Sequence, residues 1–378
     1  MLYIDYELPE IYNNISIHTL INDIAKFTYT YNQLNHKAKQ FVITSYARIM
    51  AVRFIHMNNI YEGVGTQTEP DTYIVLSSVN KLKSHTSIKE TETISQLNAM
   101  QYLQQVRQQN VKQHNLSTDN PLQSVIDSEL VQDVASHILS IKSLPYRSGT
   151  AYAELDKQRI HVYPHPDIID SNILAACDIY FEELNNLSLS FSGMRMFDRI
   201  MNIYRTAARV MFDIVDIHPY GDGNGRLCRL LMNHVLACIT PFPVAVDVNR
   251  NEYIDAIGEC RYNDYTNRVP SKLCAIILYC AHKQWGQLFR MLEEQGLYGS
   301  KTVTQLVFTH MQLDNDQLPD KIIERRYKSI FHDVVDNQTK QLDYNIVRQA
   351  IQHMQQNKIS TYNVKLQDSN KETQIIFV

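Results

Sequence analysis

Twelve residues near the middle of the chain combine side-chain types suited to chemistry on phosphates. They read His218-Pro219-Tyr220-Gly221-Asp222-Gly223-Asn224-Gly225-Arg226-Leu227-Cys228-Arg229 and hold three of the eleven glycines of the chain. Glycine permits positive φ and close backbone approach, and the free amides at a helix N-terminus attract an anion. Because an apolar helical pattern follows at once, we expect Gly223, Asn224 and Gly225 to form a concave phosphate-binding nest.

The charged side chains of this segment fit the same interpretation. Arg226 and Arg229 are three residues apart, so on a helix they project from one face and can reach the same polyanion. Asp222 offers hard oxygen ligands of the kind that Mg²⁺ accepts beside phosphates. His218 has an ordinary pKa near neutrality, which suits a general base for an attacking hydroxyl. The spacing predicts phosphoryl or nucleotidyl transfer.

A tight turn is the simpler alternative, because Asp-Gly and Asn-Gly are common turn sequences. A turn accounts for the glycines but not for the leading His-Pro-aromatic, the carboxylate and the two arginines in helical register. The segment resembles the signature of the Fic family, His-Pro-aromatic-x-Asp/Glu-Gly-Asn-Gly-Arg-x-x-Arg, at every defining position. Tyr220 stands where Phe is commoner. The resemblance extends over roughly residues 55–270.

The resemblance implies a mainly α fold, with a Fic-type helical core and a small β-hairpin flap before the signature loop. It implies an enzyme that transfers AMP from ATP to a Ser, Thr or Tyr hydroxyl of a protein partner, with Mg²⁺ or Mn²⁺ as cofactor. In that scheme His218 deprotonates the acceptor and Asp222 holds the metal. Asn224 and the amides of Gly223 and Gly225 bind the negatively charged α-phosphoryl oxygens, and Arg226 and Arg229 anchor the outer phosphates.

Other activities stay open at this point. Relatives use the same nest to transfer UMP, phosphocholine or phosphate, and some members also remove AMP. From another class, the core could be a scaffold for a regulatory module whose C-terminal part binds DNA. A homodimer is also compatible with the resemblance.

A second motif, Asn58-Asn59-Ile60-Tyr61-Glu62-Gly63, follows the first apolar stripe. It resembles the family's inhibitory helix, Ser/Thr-x-x-x-Glu-Gly/Asn, whose glutamate pairs with the second signature arginine and blocks the γ-phosphate. Glu62 would take that inhibitory role here, and Asn58 replaces the usual hydroxyl. The alternative is a helix that merely ends with Gly63 as its C-cap. Beyond the signature, Tyr253 resembles the aromatic residue that the family brings to the adenine.

Apolar stripes at spacings of three and four predict helices around the signature. They cover residues 33–57, 86–109, 121–143, 198–216, 224–239 and 270–294. The predicted buried stripes of the first three include Ile49, Ile94 with Leu97, and Ile141, respectively. Alternating residues at 149–154 and 159–163, separated by a polar turn, predict the hairpin. We divide the chain into supporting helices at 1–54, a catalytic core at 55–295 with the inhibitory helix and the flap, and an appendage at 296–378.

Composition narrows the compartment and the partners. The chain has 378 residues and a formal net charge of −4, so no basic excess favours nucleic acid or a membrane surface. The N-terminus lacks a basic and apolar leader, and the longest apolar runs are too short to cross a bilayer. The six cysteines have no paired spacing, which indicates buried reduced thiols. We expect a cytoplasmic protein; delivery into another cell stays open.

The charged run at 321–328 is interpreted as a solvated helix face.

Overall fold

The computed structural model describes residues 15–79, 86–116, 120–154, 160–262, 270–298, 364–369 and 372–377. The predictions for the leader, for residues 321–328 and for most of 296–378 lie outside these ranges. The chain divides into two compact units, Met1–Gln284 and Trp285–Val378. Within the first unit, the described residues are mainly helical with one small hairpin, which confirms the predicted fold class.

The helices, in chain order, are α1 (Ile17–Gln33), α2 (His36–Phe41), α3 (Ala47–Glu62), α4 (Glu69–Ser78), α5 (Ile88–Gln113), α6 (Ser128–Leu139), α7 (Ile169–Ser190), α8 (Met196–Ile217), α9 (Asn224–Leu236), α10 (Arg250–Tyr262) and α11 (Ser271–Glu294). Strands β1 (Tyr152–Glu154) and β2 (Ile160–Val162) form the hairpin before α7. Strands β3 (Val364–Ser369) and β4 (Glu372–Phe377) form an antiparallel pair in the second unit.

The core of the first unit is built on α8 and α9, which flank the signature loop. On α8, Ile200, Tyr204, Ala207 and Met211 are completely buried at spacings of three and four. Each fully buried side chain of the size of leucine or methionine stabilises the fold by about 1.5–3 kcal/mol. The two helices pack on each other, and α8 also packs on α1 and α7. The loop that carries the candidate chemistry is therefore anchored at both ends in the core.

The predicted helix at 33–57 differs from the observed structure. The chain breaks after α1, and Asn35 caps α2 by accepting a hydrogen bond from the amide of Ala38 at 2.9 Å. A π-helical turn at Val42–Tyr46 then joins α2 to α3. Such a turn inserts an extra residue into the helical spiral. Met50 and Ile55 of the predicted stripe are still buried after it, whereas Ile49, expected on the same stripe, is 42% exposed.

The predicted helix at 121–143 begins later than expected. Pro121 opens only a short 3₁₀ turn, Pro121–Ser124. Asp127 is the true N-cap of α6, because its side chain accepts a hydrogen bond from the amide of Leu130 at 2.7 Å. Helix α6 ends at Leu139, and Ile141, expected to be apolar core, is 47% exposed.

Helix α5 buries a more polar face than its sequence predicts. Thr93, Gln96 and Ala99 are completely buried, whereas Ile94 and Leu97 of the predicted stripe are only partly covered. The cause is a hydrogen-bonded contact with the end of α3, described below. No helix within the described ranges is both long and apolar enough to cross a membrane. All six cysteines are buried and unbridged, as expected.

Candidate active site

The loop between α8 and α9 is shaped by two residues in the left-handed conformation. His218 ends α8 at φ 51° and ψ 59°, which is uncommon for a residue other than glycine. The Nε of Arg147 donates to its carbonyl at 2.7 Å and helps to hold this geometry. Gly223 is the N-cap of α9 at φ 80°, and the amides of the first turn of α9 follow it. The loop therefore leads directly into a helix N-terminus.

Asn224 braces this loop from within. Its side-chain oxygen accepts from the Tyr220 amide at 3.0 Å, and its Nδ2 donates to the Tyr220 carbonyl at 2.7 Å. The side chain is only 2% exposed. From the sequence, Asn224 is expected to bind phosphate oxygens, but its side chain is engaged by the Tyr220 backbone. Its own amide is the part available to an anion.

Arg226 and Arg229 are each 1% exposed, although their helical phase places them beside the apolar stripe. A buried guanidinium is costly unless it is paired. Arg226 donates to Asp222 at 2.9 Å, and Asp222 also accepts from the Gly223 amide at 2.6 Å. The Nε of Arg226 and one terminal nitrogen of Arg229, Nη1, have no hydrogen-bond partner among the described residues. These donors suit a polyanion.

Two side chains from the end of α3 hold Arg229. Glu62 accepts from its Nη2 at 2.6 Å, and Asn58 accepts from its Nε at 2.6 Å. The side chain of Arg229 is 1% exposed and that of Glu62 is 25% exposed. Burial is the largest single effect on the pKa of Arg229 and lowers it, but the Glu62 carboxylate, together with Tyr253 and Cys228, raises that pKa overall. The arginine is therefore charged and held in an ion pair.

The Glu62 carboxylate also lies over the first turn of α9. A Cβ placed on Gly225 would be 2.1 Å from the Oε1 of Glu62. Only glycine leaves room for an acceptor so close to the backbone at this helix N-terminus. A carboxylate therefore lies against the part of α9 where the glycine-rich sequence predicts phosphate oxygens.

Gly63 is the C-cap of α3 at φ 66°, so the simpler interpretation of the second motif also holds. Beyond the cap, a buried polar cluster ties α3 to α5. Asn59 donates to the Thr66 carbonyl at 3.1 Å and to the Thr93 hydroxyl at 3.2 Å, and it accepts from Gln96 at 2.7 Å. The cluster fixes the helical turn that carries Glu62.

The imidazole of His218 lies beside the hairpin. Tyr163, which follows β2, stacks on it with ring centroids 4.0 Å apart and an interplanar angle of 17°. Burial lowers the pKa of His218 to about 4, helped by the positive charges of Arg147 and Arg261. The backbone carbonyl of Val215 and the Glu62 carboxylate oppose this shift. At neutral pH the ring is uncharged and can accept a proton.

Tyr253 lies close to Arg229 but is not open to a ligand in this geometry. Its ring stacks on Tyr61 at a centroid distance of 5.6 Å, and the Arg229 guanidinium lies 5.8 Å from its centre. Only 6% of Tyr253 is exposed. The predicted adenine contact would require this packing to open.

Sequence reasoning missed the residues that support the base. Arg147 and Tyr163 contact His218, and Arg261 and Asp216 form an ion pair beside Tyr163, yet these four residues are scattered over more than a hundred positions of the chain. The Tyr163-Pro164-His165-Pro166 run at the exit of the hairpin was the available signal, because prolines fix the chain direction there. Nothing in the local pattern pointed to Arg261.

The comparisons with known proteins agree with this geometry. Residues 127–236, which include α6 to α9, match the model of the Fic/DOC family. The crystal structure of a Fic domain containing signaling protein from Bacteroides thetaiotaomicron superposes with a TM-score of 0.52 at 15% identity, covering 72% of this chain and 98% of that one. At this identity the likeness shows the fold alone. Fold and signature loop together define a Fic domain, and the chain is a Fic domain protein.

Curated relatives match parts of the chain. A Fido domain-containing protein of Dictyostelium discoideum is 36% identical over 91 residues, which is 24% of this chain and 64% of that protein. The Protein adenylyltransferase Fic of Nematostella vectensis is 24% identical over 211 residues, covering 56% of this chain and 43% of the relative. A ribonucleoside-diphosphate reductase small chain of Ostreid herpesvirus 1 is 28% identical over 133 residues, 35% of this chain and 21% of that protein. The chain thus spans less than two thirds of each.

Proposed function

We propose that this protein transfers AMP from ATP to a hydroxyl group of a protein, and that Glu62 holds the reaction in check. The observation that carries the proposal is the pair of buried arginines at the N-terminus of α9. Their unpartnered donors and the Glu62 carboxylate over Gly225 make this an anion site with an internal anion already bound. The name of the Nematostella vectensis relative supports adenylyl transfer as the reaction.

The residues fit a nucleoside triphosphate with a divalent cation. The Asp222 side chain is 68% exposed, so its carboxylate can reach a cation as well as Arg226. No three His, Cys, Asp or Glu side chains converge on a metal position in the described part of the chain. Mg²⁺ or Mn²⁺ at Asp222 would therefore share phosphate oxygens and water, as Mg²⁺ commonly does beside phosphates. When bound, the cation would neutralise negative charge on those oxygens.

The chain's own residues supply proton transfer and orientation. The uncharged His218 accepts the proton of the acceptor hydroxyl as its oxygen bonds to the α-phosphorus. The bond from that phosphorus to the bridging oxygen breaks, and pyrophosphate leaves with the electron pair. Arg226 and Arg229 hold the departing phosphates, and the amides of Asn224 and Gly225 serve the charge that develops at the reacting phosphoryl group. The Gly223 amide, expected in the same role, donates to Asp222 instead. Release of Glu62 from Arg229 is required before the terminal phosphate can bind there.

The hairpin offers a docking edge for the acceptor protein. Tyr152 and Val162 are partners in the antiparallel register, so both project from the same face. They are 63% and 61% exposed. An extended segment of the acceptor protein could add to such a strand through backbone hydrogen bonds.

The test is labelling by the Glu62→Gly variant with ATP carrying the label on the α-phosphate or, separately, on the γ-phosphate. We expect protein labelling from the α-labelled nucleotide only, at a level well above that of the native chain. The double variant Glu62→Gly with His218→Ala should bind ATP with unchanged affinity and transfer nothing. Labelling from γ-labelled ATP would indicate phosphate transfer instead. Added mass on tryptic peptides would identify UMP or phosphocholine when UTP or CDP-choline is supplied. No labelling in any arm would refute the proposal.

A further inference from the structure

Tyr163 covers one face of the candidate base. Its ring lies parallel to the His218 imidazole, at a centroid distance of 4.0 Å, and Tyr163 itself is 8% exposed. Rotation about the last side-chain torsion of histidine is ordinarily broad. A close parallel ring restricts that rotation, because turning the imidazole would drive its edge into the tyrosine.

Tyr163 is itself held by a charged cluster from helices α8 and α10 and strand β2. The guanidinium of Arg261, on α10, lies 5.3 Å from the centre of the tyrosine ring. Its Nε donates to Asp216, at the end of α8, at 2.8 Å. His161, on β2, places its Nε2 3.3 Å from Asp216 and its ring edge against Tyr163 at 5.0 Å. Burial opposes ionisation of Asp216, but His161 and Arg261 together lower its pKa, so the carboxylate is charged.

Arg147 ties the hairpin and the base together through the backbone. Its Nε donates to the His218 carbonyl at 2.7 Å, and its amide donates to the Pro219 carbonyl at 2.9 Å. Its terminal nitrogens donate to the carbonyls of Gly149, before β1, and Pro164, after β2. One guanidinium thus joins both ends of the hairpin to the turn that presents the imidazole.

From these contacts we propose that Tyr163 is the positioning residue for His218, and that Arg147 and Arg261 make the hairpin and the base one rigid assembly. The inference rests on the proposed transfer reaction. An acceptor segment docked on the hairpin then meets an imidazole of fixed orientation. The same three side chains therefore align the bound acceptor hydroxyl with the His218 nitrogen that takes its proton. A near-attack geometry of this kind accounts for large rate factors in enzymes.

The charges around the ring support this assignment. Burial has the largest effect on the pKa of His218 and lowers it, and Arg147 and Arg261 lower it further. Glu62 is the carboxylate that acts in the opposite direction. Loss of the covering ring at position 163 admits water to the imidazole, so its pKa moves back toward the ordinary value of about 6.5.

The experiment compares Tyr163→Leu with Tyr163→Phe, both in the Glu62→Gly background. Leucine keeps an apolar side chain and removes the ring, whereas phenylalanine keeps the stack. Transfer is measured with α-labelled ATP between about pH 6 and pH 9, and ATP affinity is measured by calorimetry. At the alkaline end the imidazole is neutral in every variant, so a remaining difference in kcat reports orientation alone. If Tyr163→Leu does not fold, Tyr163→Met carries the same expectation.

We expect Tyr163→Leu to lower kcat by about tenfold or more at the alkaline end, with ATP affinity within about twofold, and Tyr163→Phe to stay within about twofold of its parent. Equal kcat for the leucine and phenylalanine variants would overturn the inference. If the parent itself transfers nothing, the proposed function has failed instead. NMR relaxation of the His218 ring protons with Glu62 intact then decides the positioning role: a more mobile imidazole in Tyr163→Leu alone supports it, and equal mobility in both variants overturns it.

Discussion

Glu62 lies where a side chain at position 225 would begin. Its Oε1 is 2.1 Å from the position of a Cβ on Gly225 and 2.6 Å from the Nη2 of Arg229. The same carboxylate thus fills the space over the first turn of α9 and neutralises the buried arginine. Any anion that binds both features must displace this carboxylate.

Gly225→Ala should disturb the inhibitory contact without activating the protein. The added methyl group forces the flexible Glu62 carboxylate away from Arg229. The methyl group itself then occupies the space over the N-terminus of α9. We expect basal transfer to remain at or below the native level and ATP affinity to fall by about tenfold or more. Calorimetry and α-phosphate labelling check this. A rise in labelling like that of Glu62→Gly would contradict the assigned cradle.

Nucleotide should stabilise the Glu62→Gly variant against unfolding more than it stabilises the native protein. Removing one partner of a buried ion pair leaves Arg229 uncompensated, which for fully buried pairs costs about 3–5 kcal/mol. Because Glu62 is 25% exposed, we expect the lower end of that range or less. ATP with Mg²⁺ should restore about 2.7 kcal/mol at a hundredfold excess over Kd. Thermal unfolding with and without nucleotide measures both effects. Equal nucleotide shifts in the native and variant proteins would count against competition at Arg229.

Asn58 should tune the strength of inhibition through its 2.6 Å hydrogen bond to Arg229. Asn58→Ala leaves a buried donor unsatisfied, so we expect a loss of about 1–3 kcal/mol in unfolding free energy and a modest rise in basal labelling. Asn58→Asp adds a second carboxylate at the arginine, and there we expect weaker ATP binding and lower basal labelling. If both variants change ATP affinity in the same direction, the charge argument fails.

The buried cluster around Asn59 should position Glu62 indirectly. Asn59→Ala leaves Thr93 and Gln96 without a shared partner, which should cost about 2–4 kcal/mol of unfolding free energy. The loosened last turn of α3 should also raise basal labelling, by less than Glu62→Gly does. Asn98→Ala is the matched control, because Asn98 is exposed on α5. In the Glu62→Gly background, Asn59→Ala should cause no further rise in labelling. An additive rise would show that the cluster does not act through Glu62.

As pH falls, the protein should lose stability before His218 becomes protonated in the folded state. Burial, reinforced by Arg147 and Arg261, holds the pKa of His218 at about 4, below its unfolded value near 6.5. The unfolded chain therefore binds the proton first, and the stabilising contribution is complete above about pH 6.5 and lost as pH falls toward 4. Each such group contributes a slope of up to about 1.4 kcal/mol per pH unit. His218→Gln should have a shallower pH dependence of unfolding than the native protein over this interval. An identical slope would exclude a buried neutral imidazole.

The sequence was informative where chemistry is local. The glycine spacing, the carboxylate and the two arginines lie within a few residues of each other, so their convergence at one loop could be read directly. The apolar stripe of α8 predicted its boundaries to within about two residues, because nearly all of its inward positions are apolar.

The sequence was less informative where contacts join distant segments. The polar face of α5 is buried because Asn59 meets Thr93 and Gln96, and periodicity counts only apolar residues. The π turn at Val42–Tyr46 interrupts a segment that its apolar stripe predicts as one α-helix, and no local residue indicates such a turn. Tyr163 meets His218, and Arg261 meets Tyr163, only through the tertiary fold.

Cys228 lies on α9 between the two arginines, with its thiol against the Gly225 carbonyl at 3.1 Å, and burial raises its pKa to about 11. Thiol reagents react with the thiolate, so this sulfur is protected twice, by its surroundings and by its proton. Alkylation of Cys228 then requires α9 to separate from the helices around it. The rate of alkylation of Cys228 therefore measures how often α9, the helix that carries both arginines, opens. Mass spectrometry can follow this rate in the native sequence.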